Sequence, residues 1–166
     1  MLLLALLATA SASALPPERL TIANRIAAEG KPECLSHALD GTTGPCLPEF
    51  GVVPGARVNA RARGAAITFT QGAAARLTPD EFALLAGHEI AHYYLGHNGG
   101  SNPSNELAAD RLGARLACQA GFDPTAGASL FRYMRAGTSH PRPELRRAAV
   151  LAVGCDNSLN SHNPSA

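Results

Sequence analysis

Apolar residues recur along this chain in two rhythms. Leu20, Ala23 and Ile26 with Ala27 repeat at helical spacing, behind Pro16 and Pro17 and ahead of Gly30, and predict a helix over residues 16–28. Ile67 and Phe69 alternate instead with Thr68 and Thr70, the period of a half-buried strand. That strand, over residues 66–70, pairs with a second over 57–62 through a turn near Gly64. Between helix and hairpin, residues 31–54 are rich in turn formers such as Gly41, Gly44, Pro45 and Pro48, and read as turns.

The clearest start signal follows. Thr78 caps a helix with Pro79 in its first turn, Glu81 completes a reciprocal capping box, and Leu77 and Phe82 are placed as a hydrophobic staple. This helix runs through Leu95 and stops at Gly96. Another starts at Asn102-Pro103 and runs to Ala120, closed by Gly121. Asp123-Pro124 opens a third that ends near Gly137, and a last helix spans residues 142–153 before Gly154. The tail over residues 156–166 is polar and is expected to be disordered.

The apolar run from Leu2 to Ala8 is too short to cross a membrane. With Ala12-Ser13-Ala14 behind it, it reads as a signal peptide over residues 1–14, although no Lys or Arg precedes it. The competing reading of that run is a buried helix. Residues 15–155 then form one domain. Four cysteines agree with export to an oxidising compartment. They allow three pairings, of which Cys34–Cys46 closes a short local loop and leaves Cys118–Cys155 to tie two helices; buried free thiols are the alternative. No C-x-x-C spacing exists for a zinc–thiolate site.

Composition narrows the partners. The chain has 166 residues, 14 basic against 13 acidic, and a formal charge of +1, so it lacks the electrostatic footprint of a nucleic-acid binder. Only 5% of residues are aromatic, which leaves Ala, Leu, Val and Ile to build the core.

The chemistry is concentrated in His88-Glu89-Ile90-Ala91-His92, inside the best-signalled helix. Side chains four apart share a helix face, so His88 and His92 can bind one ion. Glu89 is turned from them, where it can reach a zinc-bound water whose pKa falls to about 7 and act as general base. Glu106, 14 residues after His92, is the candidate third ligand. Asp110, one turn further, can accept the N–H of a ligand histidine. Alone, Glu106 and Asp110 would read as a solvated face near a helix N-terminus. Behind this helix they read as ligand and support. His97, His37 and His162 receive no role.

With these motifs the chain resembles the HtpX / CAAX-prenyl-protease family of gluzincin metallopeptidases, in particular its small soluble bacterial members. The resemblance runs from about Val58 to Ala149. It rests on Val58-Asn59-Ala60 with its hairpin, on Thr78-Pro79-Asp80-Glu81-Phe82 leading into HEIAHYYLGH, on Asn105-Glu106-Leu107-Ala108-Ala109-Asp110, and on Ser139-His140-Pro141. It implies an α+β, zincin-like metallopeptidase domain, a small sheet beside the HExxH helix with additional helices. One Zn2+ per chain would be held by His88, His92 and Glu106, with Glu89 as base and Asp110 supporting a ligand histidine. It also implies that His140 and Arg146 assist the developing oxyanion, and that the strand at Asn59, Ala60, Arg61 and Ala62 holds an extended substrate by backbone hydrogen bonds. Read from the residues alone, His140 before Pro141 also suits a helix entry. Arg146, with Arg142 and Arg147, also suits a solvated face or a pair with Glu144. Arg61, Arg63 and Ala73-Ala74-Ala75 stand where many relatives are more apolar.

The expectation is an exported zinc endopeptidase, periplasmic or secreted, acting on unfolded or extended polypeptide, with no nucleic acid and no membrane span. The same ligands would also serve a non-catalytic zinc-bound factor that binds or assembles envelope proteins. A third reading is a latent protease whose zinc is covered by the segment from His97 to Pro103.

Overall fold

A computed structural model describes residues 12–31, 34, 46–97, 102–137 and 140–155. The expected apolar leader, the polar tail, most of the turn-rich stretch before residue 46 and the centre of the segment after His97 lie outside the described residues. In chain order the elements are β1 (Ser13–Ala14), α1 (Pro17–Glu29), β2 (Glu49–Val53), β3 (Ala60–Arg63), β4 (Ala66–Thr70), α2 (Gln71–Arg76) and α3 (Pro79–Tyr94). After these come α4 (Pro103–Gln119), the short α5 (Pro124–Gly127), a 3-10 helix (Ala128–Tyr133) and α6 (Pro143–Leu151). The protein is α+β, a four-stranded sheet with helices packed beside it.

The sheet order is β1-β2-β4-β3, with β2 and β4 parallel and both outer pairs antiparallel. The period-two pattern of β4 works as the sequence suggests: Ile67 and Phe69 are fully buried, and Phe69 stacks on Phe82 of α3 at 4.8 Å between ring centroids. Helix α3 is the hub. Thirteen of its sixteen residues are buried, so it is apolar almost all round, as a helix enclosed on every side must be.

The capping box of α3 is formed as its sequence predicts. Thr78 Oγ1 accepts from the Glu81 N–H at 3.3 Å, and Glu81 Oε2 accepts from the Thr78 N–H at 2.9 Å. Glu81 is also bonded by Ser129 and Arg132 of the 3-10 helix. Burial opposes ionisation of Glu81 and is the largest single influence. The hydrogen bonds from Arg132, Ser129 and Thr78 together outweigh it and hold the carboxyl below its ordinary 4.5. Because the folded value is depressed, the stability Glu81 contributes is complete above about pH 4.5 and is lost as pH falls through the folded value. A Glu81→Gln variant is expected to melt below the parent at pH 7, and the gap should narrow towards pH 3 in thermal melts. A gap that persists in acid would show that the charge contributes nothing.

Several elements differ from expectation. Residues 49–53 are a strand rather than turns, because Phe50 and Val52 find partners across a parallel ladder at Ile67 and Phe69, a pairing no local signal announces. Strand β3 begins at Ala60, three residues later than the pattern suggested. Residues 71–76 form α2, capped by Thr70, whose Oγ1 accepts from the Ala73 N–H at 3.2 Å. The helix expected over residues 124–137 is a single α-turn followed by the 3-10 helix, whose tighter path carries Ser129 and Arg132 to Glu81. Ser13 and Ala14, which the leader was expected to include, pair with Val52 and Gly51.

Both expected cysteine pairs are formed. Cys34–Cys46 and Cys118–Cys155 have Cα separations of 5.6 and 5.8 Å, and no described cysteine is free. Among the described residues no helix is long and apolar enough to cross a membrane.

Candidate metal centre

Helix α3 presents His88 and His92 one turn apart, with their Nε2 atoms 3.0 Å from each other. Glu106, in the first turn of α4, completes the group. Its Oε1 lies 3.3 Å from His92 Nε2 and its Oε2 3.6 Å from His88 Nε2. Ligand atoms of the three residues all fall within 4.8 Å of one another. Glu106 and His88 are buried, and His92 is half-buried. Ligands held about 2.0–2.1 Å from a tetrahedral ion sit about 3.3 Å apart. Separations of 3.0 to 3.6 Å bracket that spacing, so the donor set fits a single metal ion.

Two glycines explain why α4 comes so close. A Cβ at Gly87 would lie 2.6 Å from the Gly113 carbonyl oxygen, and one at Gly113 would lie 2.6 Å from the backbone nitrogen of His88. The helices therefore touch backbone to backbone beside the first histidine, which lets the short side chains of Glu106 and Asp110 reach it.

Behind the donors lies a buried brace. Asp110 Oδ1 is 2.9 Å from His88 Nδ1. Accepting that N–H leaves the Nε2 lone pair facing His92 and Glu106. Arg146 of α6 donates twice to Asp110, Nε to Oδ2 at 2.9 Å and Nη2 to Oδ1 at 2.7 Å, and its Nη1 is 3.5 Å from Glu106 Oε2. Burial works against the Asp110 charge, yet the hydrogen bonds from Arg146 and His88 hold its carboxyl below the usual range. Burial likewise opposes the Arg146 charge, and Asp110 foremost raises its pKa. Arg146 is thus buried while Arg142, Glu144 and Arg147 are exposed, so it does not belong to the solvated face the sequence allowed.

His97 joins the site from a position the sequence left without a role. Gly96 has φ +64°, a turn that suits glycine, and the His97 N–H returns to the His92 carbonyl at 3.0 Å. This brings His97 Nδ1 to 3.0 Å from His92 Nδ1. With His92 Nε2 facing the cluster, its Nδ1–H is the donor and His97 the acceptor. Each ligand histidine is therefore steadied from behind, one by Asp110 and one by His97. A G-H pair ending an HExxH helix is the signal that could have found it.

The donors lie at the floor of an open cleft of about 640 Å3. Glu89 lies in its wall, His140 reaches in from before α6 with Nε2 3.7 Å from Glu106 Oε2, and residues 59–64 form the opposite side. Among the described residues, β3 is the outer strand of the sheet. Thr70 N–H bonds to the Asn59 carbonyl, so by antiparallel alternation Arg61 also turns its backbone to β4, while Ala60 and Ala62 direct theirs to the open edge. A smaller cavity of about 80 Å3, walled by Leu84, Leu85, Leu130, Phe131 and Met134, adjoins Glu89 and His140; Arg146 borders this one and not the cleft.

Neither a protein-family model nor a curated protein matches the chain.

Proposed function

We propose that this chain is an exported zinc metalloendopeptidase of the HtpX / CAAX-prenyl-protease-like, zincin-fold type, cutting unfolded or extended polypeptide. The observation that carries this reading is the placing of Glu89. It stands in the wall of a cleft that has a three-residue donor set on its floor and is also lined by a strand edge unpaired among the described residues. A purely structural zinc site closes its coordination with four protein ligands and has no use for a neighbouring base or a substrate-sized opening.

Zinc, held by His88, His92 and Glu106, would supply Lewis acidity towards water and a peptide carbonyl. The chain's own groups do the rest. Ala60 and Ala62 hold the substrate backbone in extended form by strand addition. Glu89 takes a proton from the attacking water and passes it to the departing amine. His140, half exposed at the cleft, donates to the carbonyl oxygen as charge develops there. Arg146 acts through Asp110, fixing the orientation of His88. Two disulfides, and no spanning helix among the described residues, are compatible with a periplasmic or extracellular protein.

The test is cleavage of casein by the disulfide-intact chain loaded with one equivalent of zinc. Fragments should appear, stop on addition of EDTA, and return when zinc is restored. A zinc-loaded chain that leaves casein whole would overturn the reading and favour a binding or assembly factor.

A further inference from the structure

The open edge of β3 carries an arginine at every second position. Arg61 and Arg63 are exposed on one face of the strand, while Ala60 and Ala62 are half-buried on the other. Both arginines line the same cleft as the metal donors. Their register partners on β4 are Thr68 and Ala66, which carry no charge. The next strand places Glu49 beyond Ala66, about 10 Å from Arg63 at two strand spacings. No ion pair of either arginine is found among the described residues. Among the described residues the carboxylates that line the cleft are Glu106 on its floor and Glu89 in its wall, both engaged in the site itself.

We infer that this edge selects extended segments bearing acidic side chains at alternating positions, opposite Arg61 and Arg63. A strand added at Ala60 and Ala62 must place every second side chain on the arginine face, because side-chain direction alternates in any strand. Residues directly opposite across a ladder have Cβ atoms about 4.5–5.5 Å apart, within reach of a carboxylate–guanidinium pair. Two such pairs, two residues apart, match an Asp or Glu at positions i and i+2 of the incoming segment. A segment with Lys at those positions meets like charge at both.

This inference rests on the peptidase reading for the edge being the substrate's seat, but its test reads binding rather than turnover. The probes are two fluorescent decapeptides of Ala, Ser and Thr, one with Glu at two alternating central positions and one with Lys there. They are titrated against the zinc-loaded Glu89→Gln chain by anisotropy. The Glu peptide should bind about three- to tenfold more tightly than the Lys peptide at low salt, and the preference should shrink at 0.5 M NaCl. In the Arg61→Glu/Arg63→Glu variant the preference should reverse, with an unchanged melting temperature confirming the fold. Equal binding of the two peptides, no binding of either, or a preference untouched by the double substitution would overturn the inference. In the case of equal binding, the arginines only keep an outer strand from pairing with another copy. Casein cleavage separates the two claims. Casein cut without charge preference leaves the peptidase and removes the selectivity, and casein uncut with acidic preference intact does the converse.

Discussion

A Glu89→Gln chain is expected to bind one zinc ion as tightly as the parent and to cleave casein about 100- to 10,000-fold more slowly. Glutamine has the size of glutamate, and Glu89 is not among the three residues whose donor atoms converge, so metal binding should not change. What is lost is, among the described residues, the only carboxylate lining the cleft that is not itself a donor. The two measurements, zinc content by mass spectrometry under native conditions and fragment appearance on a gel, must be made on the same preparation. Equal cleavage by the two proteins at equal zinc would remove Glu89 from the mechanism, and with it the main reason for reading the cleft as an active site.

The second large effect is expected from a residue that carries no titrating group of its own. In an exposed helix Gly→Ala stabilises by up to about 1 kcal/mol. At Gly113 the sign should reverse. The added methyl would lie 2.6 Å from the His88 backbone nitrogen and 2.7 Å from the Gly87 carbonyl carbon, with no flexible side chain able to give way. The helices must part, at a net cost of about 2 kcal/mol or a drop of roughly 4–8 °C in melting temperature. Glu106 and Asp110 move with α4, so zinc affinity should fall at least about tenfold in a competitive chelator titration. Gly137→Ala is the control, since its Cβ would meet nothing within 4 Å. If Gly113→Ala binds zinc and melts like that control, the close crossing does not hold the site.

The sequence and the structure agree best where signals are local. Thr78, Pro79 and Glu81 announce the start of α3, Gly96 and Gly121 the ends of α3 and α4, and the spacing of His88, His92 and Glu106 survives unchanged into geometry. What stayed hidden depends on partners distant in sequence. β2 exists because β4 runs parallel to it, and nothing within residues 49–53 names that neighbour. Gly87 and Gly113 look in sequence like weak points of two helices, and only their crossing shows that a side chain there would exclude the other helix. Arg146 illustrates the same limit. Its exposed neighbours Arg142 and Arg147 suggest a solvated face, and only the packing of α6 on α4 turns it to Asp110.

The Cys118–Cys155 bond gives the centre an uneven architecture. Its three donors sit on one stretch, residues 88–106, brought together by helix crossing alone. His140 and Arg146 belong instead to a covalent ring of chain that opens at the end of α4 and closes just beyond α6. Joining that ring removes about 4 kcal/mol of chain entropy from the unfolded state. Reduction would therefore leave the three-residue donor set to the noncovalent packing it already has, and withdraw covalent support from the segment that carries His140 and Arg146. The redox state of this one bond would thus bear on the order around the centre separately from its capacity to hold a metal ion.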